Sequence, residues 1–202
     1  MSRPPYGLAR RITPQSVVGV SEGMMRWIGE LDQLLAGHGR RVEGLARRLG
    51  AQMGLGGGRL DELAAAAHLH DVGKLAIPRH VIKVPRALTP EEQAAMATHP
   101  ERGYRMLIDV ANVRIAEAVR AHHEWFNGRG YPYGMYGKEI PLYARIISVV
   151  DTFDAITSDR PYDGARSFEV AQLEIVAGAG TQFDPTVVDA FLSTFAPLEQ
   201  AA

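Results

Sequence analysis

The 202-residue chain is 46% hydrophobic and 22% charged, enough for one well-buried core and too short for two comfortable domains. Its 22 Lys and Arg against 23 Asp and Glu leave a net charge of -1, which removes the electrostatic case for binding nucleic acid or an anionic membrane. Cysteine is absent, so disulfides and thiolate metal sites are excluded and any metal falls to histidine and carboxylate. No apolar run approaches the roughly 20 residues of a membrane span, and the Met1-Ser2-Arg3-Pro4-Pro5 start lacks a signal peptide's apolar core, so a soluble, cytoplasmic protein is expected.

Residues 1–15, with prolines at 4, 5 and 14, read as a lead-in. From Ser16 to Leu35, Val17, Val20, Met24, Trp27, Ile28, Leu31 and Leu35 recur at three-and-four spacing and predict an amphipathic helix. Glycines on either side of His38 interrupt it. Val42, Leu45, Ala46 and Leu49 then resume the pattern on a helix whose Arg40, Arg41, Arg47 and Arg48 are expected to form a solvated face. Gly54 to Gly58 is a turn, and Leu60 to Val72 is an alanine-rich helix leading into His70-Asp71.

Thr89-Pro90-Glu91-Glu92 is a capping-box helix start, with the helix running to His99. Pro100 opens another stretch through Leu107, and Val113 to His123 form a further helix. Between Trp125 and Lys138, glycines at 128, 130, 134 and 137 with Pro132 exclude regular structure and predict an exposed functional loop or a disordered one. Leu142 to Thr157 follows as an apolar helix, Ser167 caps the next through Val176, and Asp184-Pro185 starts the last through Phe195. No strand and no repeat emerges, so the fold class is all-α, of roughly eight helices.

The chemistry concentrates in His70-Asp71-Val72-Gly73-Lys74, where an imidazole and a carboxylate precede a glycine and an ammonium. That order suits a cation meeting a phosphate. Five of the 7 histidines, His38, His70, His99, His122 and His123, stand at helix ends or turns of four helical elements, where side chains of a bundle can converge. Asp151 sits among Val149, Val150 and Phe153 and, if buried, wants a cation or a strong donor. His68 faces about 200° away from His70 on a helix and is set aside; His80, after Pro78, is expected at the surface.

The order His38, His70-Asp71-Val72-Gly73-Lys74, His99-Pro100, His122-His123-Glu124, Gly130-Tyr131-Pro132, Asp151 with Phe153-Asp154-Ala155, Ser158-Asp159-Arg160-Pro161-Tyr162 and Phe183-Asp184-Pro185 resembles the HD-GYP family of cyclic dinucleotide phosphodiesterases. The resemblance covers about residues 37 to 192. It implies an HD-type helical bundle at 37–196, after a lead-in and helix at 1–36, and a bacterial enzyme hydrolysing cyclic di-GMP to pGpG or onward to GMP. It implies His38, His70, Asp71, His99, His122, His123 and Asp151 as ligands of two divalent ions, iron or manganese, with Asp71 bridging and a metal-bridged hydroxide as nucleophile. Asp71 and Lys74 are then the catalytic residues, and Lys74, Gly130, Tyr131 and Arg160 bind substrate: Gly130 by letting backbone approach it, Tyr131 by ring and hydroxyl, Arg160 as a phosphate clamp.

The chain departs from the family at three places. Leu34 stands where trinuclear members resemble one another in having a glutamate, so two ions and slow onward conversion of pGpG are expected. Val84-Pro85-Arg86 replaces a usual Lys-Pro-Gly, and Asp163 replaces a basic residue. A different class of reading makes the chain a weakly catalytic, metal-containing receiver of cyclic dinucleotides or a protein-interaction module. Expected partners are cyclic di-GMP, with room for a cyclic dinucleotide synthase domain and a homodimer, and neither nucleic acid nor membrane.

Overall fold

Helix-start chemistry and apolar periodicity position most of the elements. The computed structural model describes residues 29–35, 37–84, 86–158 and 166–195. Within them run α1 (His38–Gln52), α2 (Gly58–Leu69), a 3-10 turn (Val72–Ala76), α3 (Arg79–Ile82), α4 (Pro90–Met96), α5 (His99–Leu107) and α6 (Val113–Ala121). A second 3-10 turn (Gly137–Glu139), α7 (Leu142–Thr157), α8 (Phe168–Ala177) and α9 (Pro185–Thr194) complete the order, and residues 29–34 are also helical. Among the described residues the only extended pairings are single bridges, Asn127 with Tyr136 and Ala179 with Phe183, so the all-α reading holds. Thr89 closes a full capping box with Glu92, and Ser167 and Asp184 accept the amides of Val170 and Thr186; caps of this kind contribute about 1 kcal/mol each.

The axis of the bundle is α7. Its Ile146, Ile147, Val149 and Val150 are fully buried, which is the pattern of a helix covered on every side. Around it pack α1, α2, α6, α8 and α9. The buried alanines Ala64 to Ala67 of α2 keep that helix slim, so α1 and α6 both lie close against it. At the other end Phe153 meets Phe168, Phe191 and Phe195, with ring centroids 5.3 to 5.9 Å apart, and fastens α8 and α9.

Several expectations need correction. The helix expected to Val72 ends at Leu69, the one expected to His99 ends at Met96 with His99 opening α5, and the one expected to His123 ends at Ala121. Four-residue α3 is too short to show a period and was not expected. Arg40, Arg41 and Arg48 of α1 are exposed as expected and Arg47 half-buried, but the face is also engaged: Arg40 pairs with Asp32, Arg41 with Asp154, Arg47 with Glu43 and Asp61, and Arg48 lies over the Phe195 ring. Leu34 and His38 do not share a helix; Gly37 takes φ 73°, a left-handed turn that starts α1 afresh. Of the Ser16–Leu35 helix only 29–35 fall among the described residues, and Arg160 lies outside them.

Candidate metal centre

Side chains from five elements meet at one place. His38 opens α1, His70 and Asp71 join α2 to the first 3-10 turn, His99 opens α5, His122 and His123 follow α6, and Asp151 projects from α7. Ring centroids run in an unbroken series: His38 to His70 5.1 Å, His70 to His122 5.0 Å, His122 to His99 5.2 Å and His99 to His123 5.0 Å. Gly73 makes this convergence possible, since a Cβ there would stand 2.0 Å from the His99 carbonyl oxygen. With hydrogen in that place the 3-10 turn seats on the start of α5, and Asp71 Oδ1 comes within 3.2 Å of His99 Nε2.

Two ligand groups result, His38–His70–Asp71 and His99–His122–His123, and the ligand atoms of each lie within 4.8 Å of one another. Asp71 spans them: Oδ1 faces His99, while Oδ2 lies 3.5 Å from His70 Nε2 and 3.8 Å from His38 Nε2. Asp151 Oδ1 joins the first group, 3.1 Å from His38 Nε2 and 3.7 Å from His70 Nε2. The sequence-expected ligands therefore stand together in space.

Whether they suit a cation follows from the tautomers. His70, His99 and His122 each donate Nδ1–H, at 2.7 Å, to the carbonyl three residues back, Ala67, Met96 and Val119. These carbonyls belong to last turns of helices, where no further amide is available, so the ring takes a place the ended helix leaves open. A proton on Nδ1 leaves Nε2 of the neutral ring bare. His99 and His122 then turn two bare nitrogens toward each other at 3.2 Å, an arrangement that repels unless a cation lies against both. The donor set of imidazoles and carboxylates without sulfur fits a divalent transition metal.

Charge differs across the centre. Burial, then the neighbouring imidazoles, hold His122 well below the usual histidine range and bring His123 down to about 3. Burial opposes a charge on His38 as well, but its bonds to Asp151 and Asp154 outweigh it and raise the group to about 9. Burial alone would raise Asp71; Lys74, His70 and His99 keep it well below the ordinary carboxylate range. Lys74 Nζ donates to Asp71 Oδ2 at 2.6 Å and remains partly open to solvent.

At the rim, the Tyr131 ring stacks on His123, 4.8 Å away and 20° off parallel. Gly130 lies against the chain itself, since a Cβ there would stand 2.1 Å from Trp125 N, so the close approach it allows is first of all to its own backbone. Two charged side chains gained no role from sequence. Asp154 Oδ2 accepts His38 Nδ1–H at 2.7 Å and both Asp154 oxygens accept from Arg41, which fixes the His38 ring. Glu124, beside His123, is 2% exposed. His68 is buried away from the centre, between Glu43 and Asp32, and His80 is exposed.

The family model described as an HD domain matches residues 24–187. The cyclic di-GMP phosphodiesterase response regulator RpfG of Xanthomonas campestris is 40% identical over 163 residues, 79% of this chain and 43% of that protein. A cyclic di-GMP phosphodiesterase of Thermotoga maritima is 40% identical over 159 residues, 77% of this chain and 43% of that protein. The chain thus spans less than half the length of these curated relatives. A solved cyclic GMP-AMP specific phosphodiesterase of Vibrio cholerae shares the fold, with a TM-score of 0.64 and 22% identity over 83% of this chain and 46% of that one. With a match running from before α1 into α9, and the Gly-Tyr-Pro loop beside the paired histidines, the chain belongs to the HD domain family, in its HD-GYP branch.

Proposed function

We propose that this chain is a metal-dependent phosphodiesterase that opens cyclic di-GMP to the linear dinucleotide pGpG. The observation that carries the reading is Asp71, a buried carboxylate with one oxygen toward each ligand group and Lys74 beside it. His38, His70, Asp71 and Asp151 would hold one ion, and His99, His122, His123 and Asp71 the other, iron or manganese in both places. When bound, such a pair supplies Lewis acidity for the phosphoryl oxygens and a water acidic enough to attack at neutral pH.

The chain's own groups do the rest. Lys74 offsets charge that builds on the phosphoryl oxygens. Tyr131 offers a ring face and a hydroxyl at the rim, and Arg160 a two-pronged phosphate contact. The relatives' names, which include cyclic di-GMP and cyclic GMP-AMP phosphodiesterases, support a cyclic dinucleotide as substrate. The resemblance alone connects Leu34, which has no ligand atom, with the place of a third ion's glutamate, and on that ground pGpG is the main product and GMP forms slowly.

The test is product analysis after incubating metal-loaded protein with cyclic di-GMP, cyclic GMP-AMP and cyclic di-AMP in parallel. Fast appearance of pGpG from the first is the expected result. Failure to cleave any of the three would remove the enzymatic reading.

A further inference from the structure

We infer that Glu124 is a positioning residue for His123, acting through the Gly-Tyr-Pro loop; the inference rests on the reading of His123 as a ligand. The other candidate ligand histidines are each oriented at Nδ1, His70, His99 and His122 by a carbonyl and His38 by Asp154. Among the described residues His123 has no such bond. What lies against its ring is Tyr131, stacked at 4.8 Å, so the ring's orientation depends on where the loop holds that tyrosine.

Glu124 holds it. Its Oε1 accepts the Tyr133 amide at 2.7 Å and its Oε2 the Met135 amide at 3.0 Å. Among the described residues no Lys, Arg or His pairs with this carboxylate, so two backbone donors carry the cost of burying it. The loop is thereby drawn back over the segment that carries its own clamp. The Tyr131 amide donates to the His123 carbonyl at 3.1 Å, and Gly130 presses on the backbone of Glu124 and Trp125. Beyond the clamp, the Tyr133 hydroxyl donates to Glu101 at 2.8 Å and its ring lies over Arg120, which pins the loop to α5 and α6. A loop built this way is a brace for a ligand ring.

Glu124→Gln offers one acceptor oxygen where two amides need one each, and Tyr131→Ala removes the stacking ring without touching the clamp. In metal-free protein, amide exchange at Tyr133 and Met135 should speed up in Glu124→Gln while α6 and α7 stay protected. The His123 ring proton resonances should move in both variants. Titrated with Mn2+ alone, each variant should lose about 10- to 100-fold in affinity at one of two sites, the range for a lost orienting partner. The double variant should lose no more than the worse single one, because both act through one stack.

Unchanged exchange at Tyr133 and Met135, or an unmoved His123 ring, would overturn the clamp. Additive affinity losses would show Glu124 acting by another route and would overturn it too. Should the wild type bind no Mn2+, the metal reading itself fails, while exchange and ring resonances still decide for or against the brace.

Discussion

The two ligand groups share Asp71 and differ in almost everything else. Around His38 stand three carboxylates, Asp71, Asp151 and Asp154, and the imidazole is raised to about 9. In the other group imidazoles face imidazoles, with Asp71 alone between them and the first group, and His123 falls to about 3. One side is therefore a carboxylate-lined cradle whose His38 holds a proton when no cation is present, and the other an imidazole-rich one in which His122 and His123 stay uncharged. Burial is common to both; at His38 the bonds to Asp151 and Asp154 outweigh it, whereas at His70, His122 and His123 burial prevails and the imidazole is lowered.

The comparison can be broken most severely at its shared member. Asp71→Ala should abolish hydrolysis of cyclic di-GMP in the product assay, because it removes a ligand from both groups at once. Next in size, His38→Ala and His123→Ala should each reduce metal content to about one ion per chain, since each strips a single group of a two-ion site. Equal loss of both ions in either variant would show the groups to be one.

Asp154→Asn sharpens the contrast, because it touches only the anionic side. Affinity for one ion should fall by about 10- to 100-fold in a metal titration, with the other ion unaffected. The smallest effect belongs to Arg160→Ala, which should weaken substrate binding by about 1.5 to 3 kcal/mol in calorimetry, the worth of a charged hydrogen bond, at unchanged metal content.

Much of this was legible in the chain because it is encoded locally. Thr89, Ser167 and Asp184 sit at their helix starts as read, and Val149, Val150 and Phe153 flank Asp151 on a helix that is buried as its apolar surround implies. Helix ends were harder, because α2, α4 and α6 stop where a histidine ring satisfies a last-turn carbonyl, a competition that periodicity does not register. The role of Asp154 escaped for a different reason: its partner His38 is 116 residues away, and nothing in either neighbourhood points to the other. Gly37 likewise separates Leu34 from His38 through a backbone angle that a glycine permits but does not announce.

The central claim is a two-ion centre joined by Asp71, and the most direct measurement is the metal content of anaerobically purified, metal-loaded wild-type protein, read together with the first product released from cyclic di-GMP. The account predicts close to two ions per chain with pGpG appearing first. Close to three ions per chain with GMP as the early product, or no bound metal at all, would contradict it.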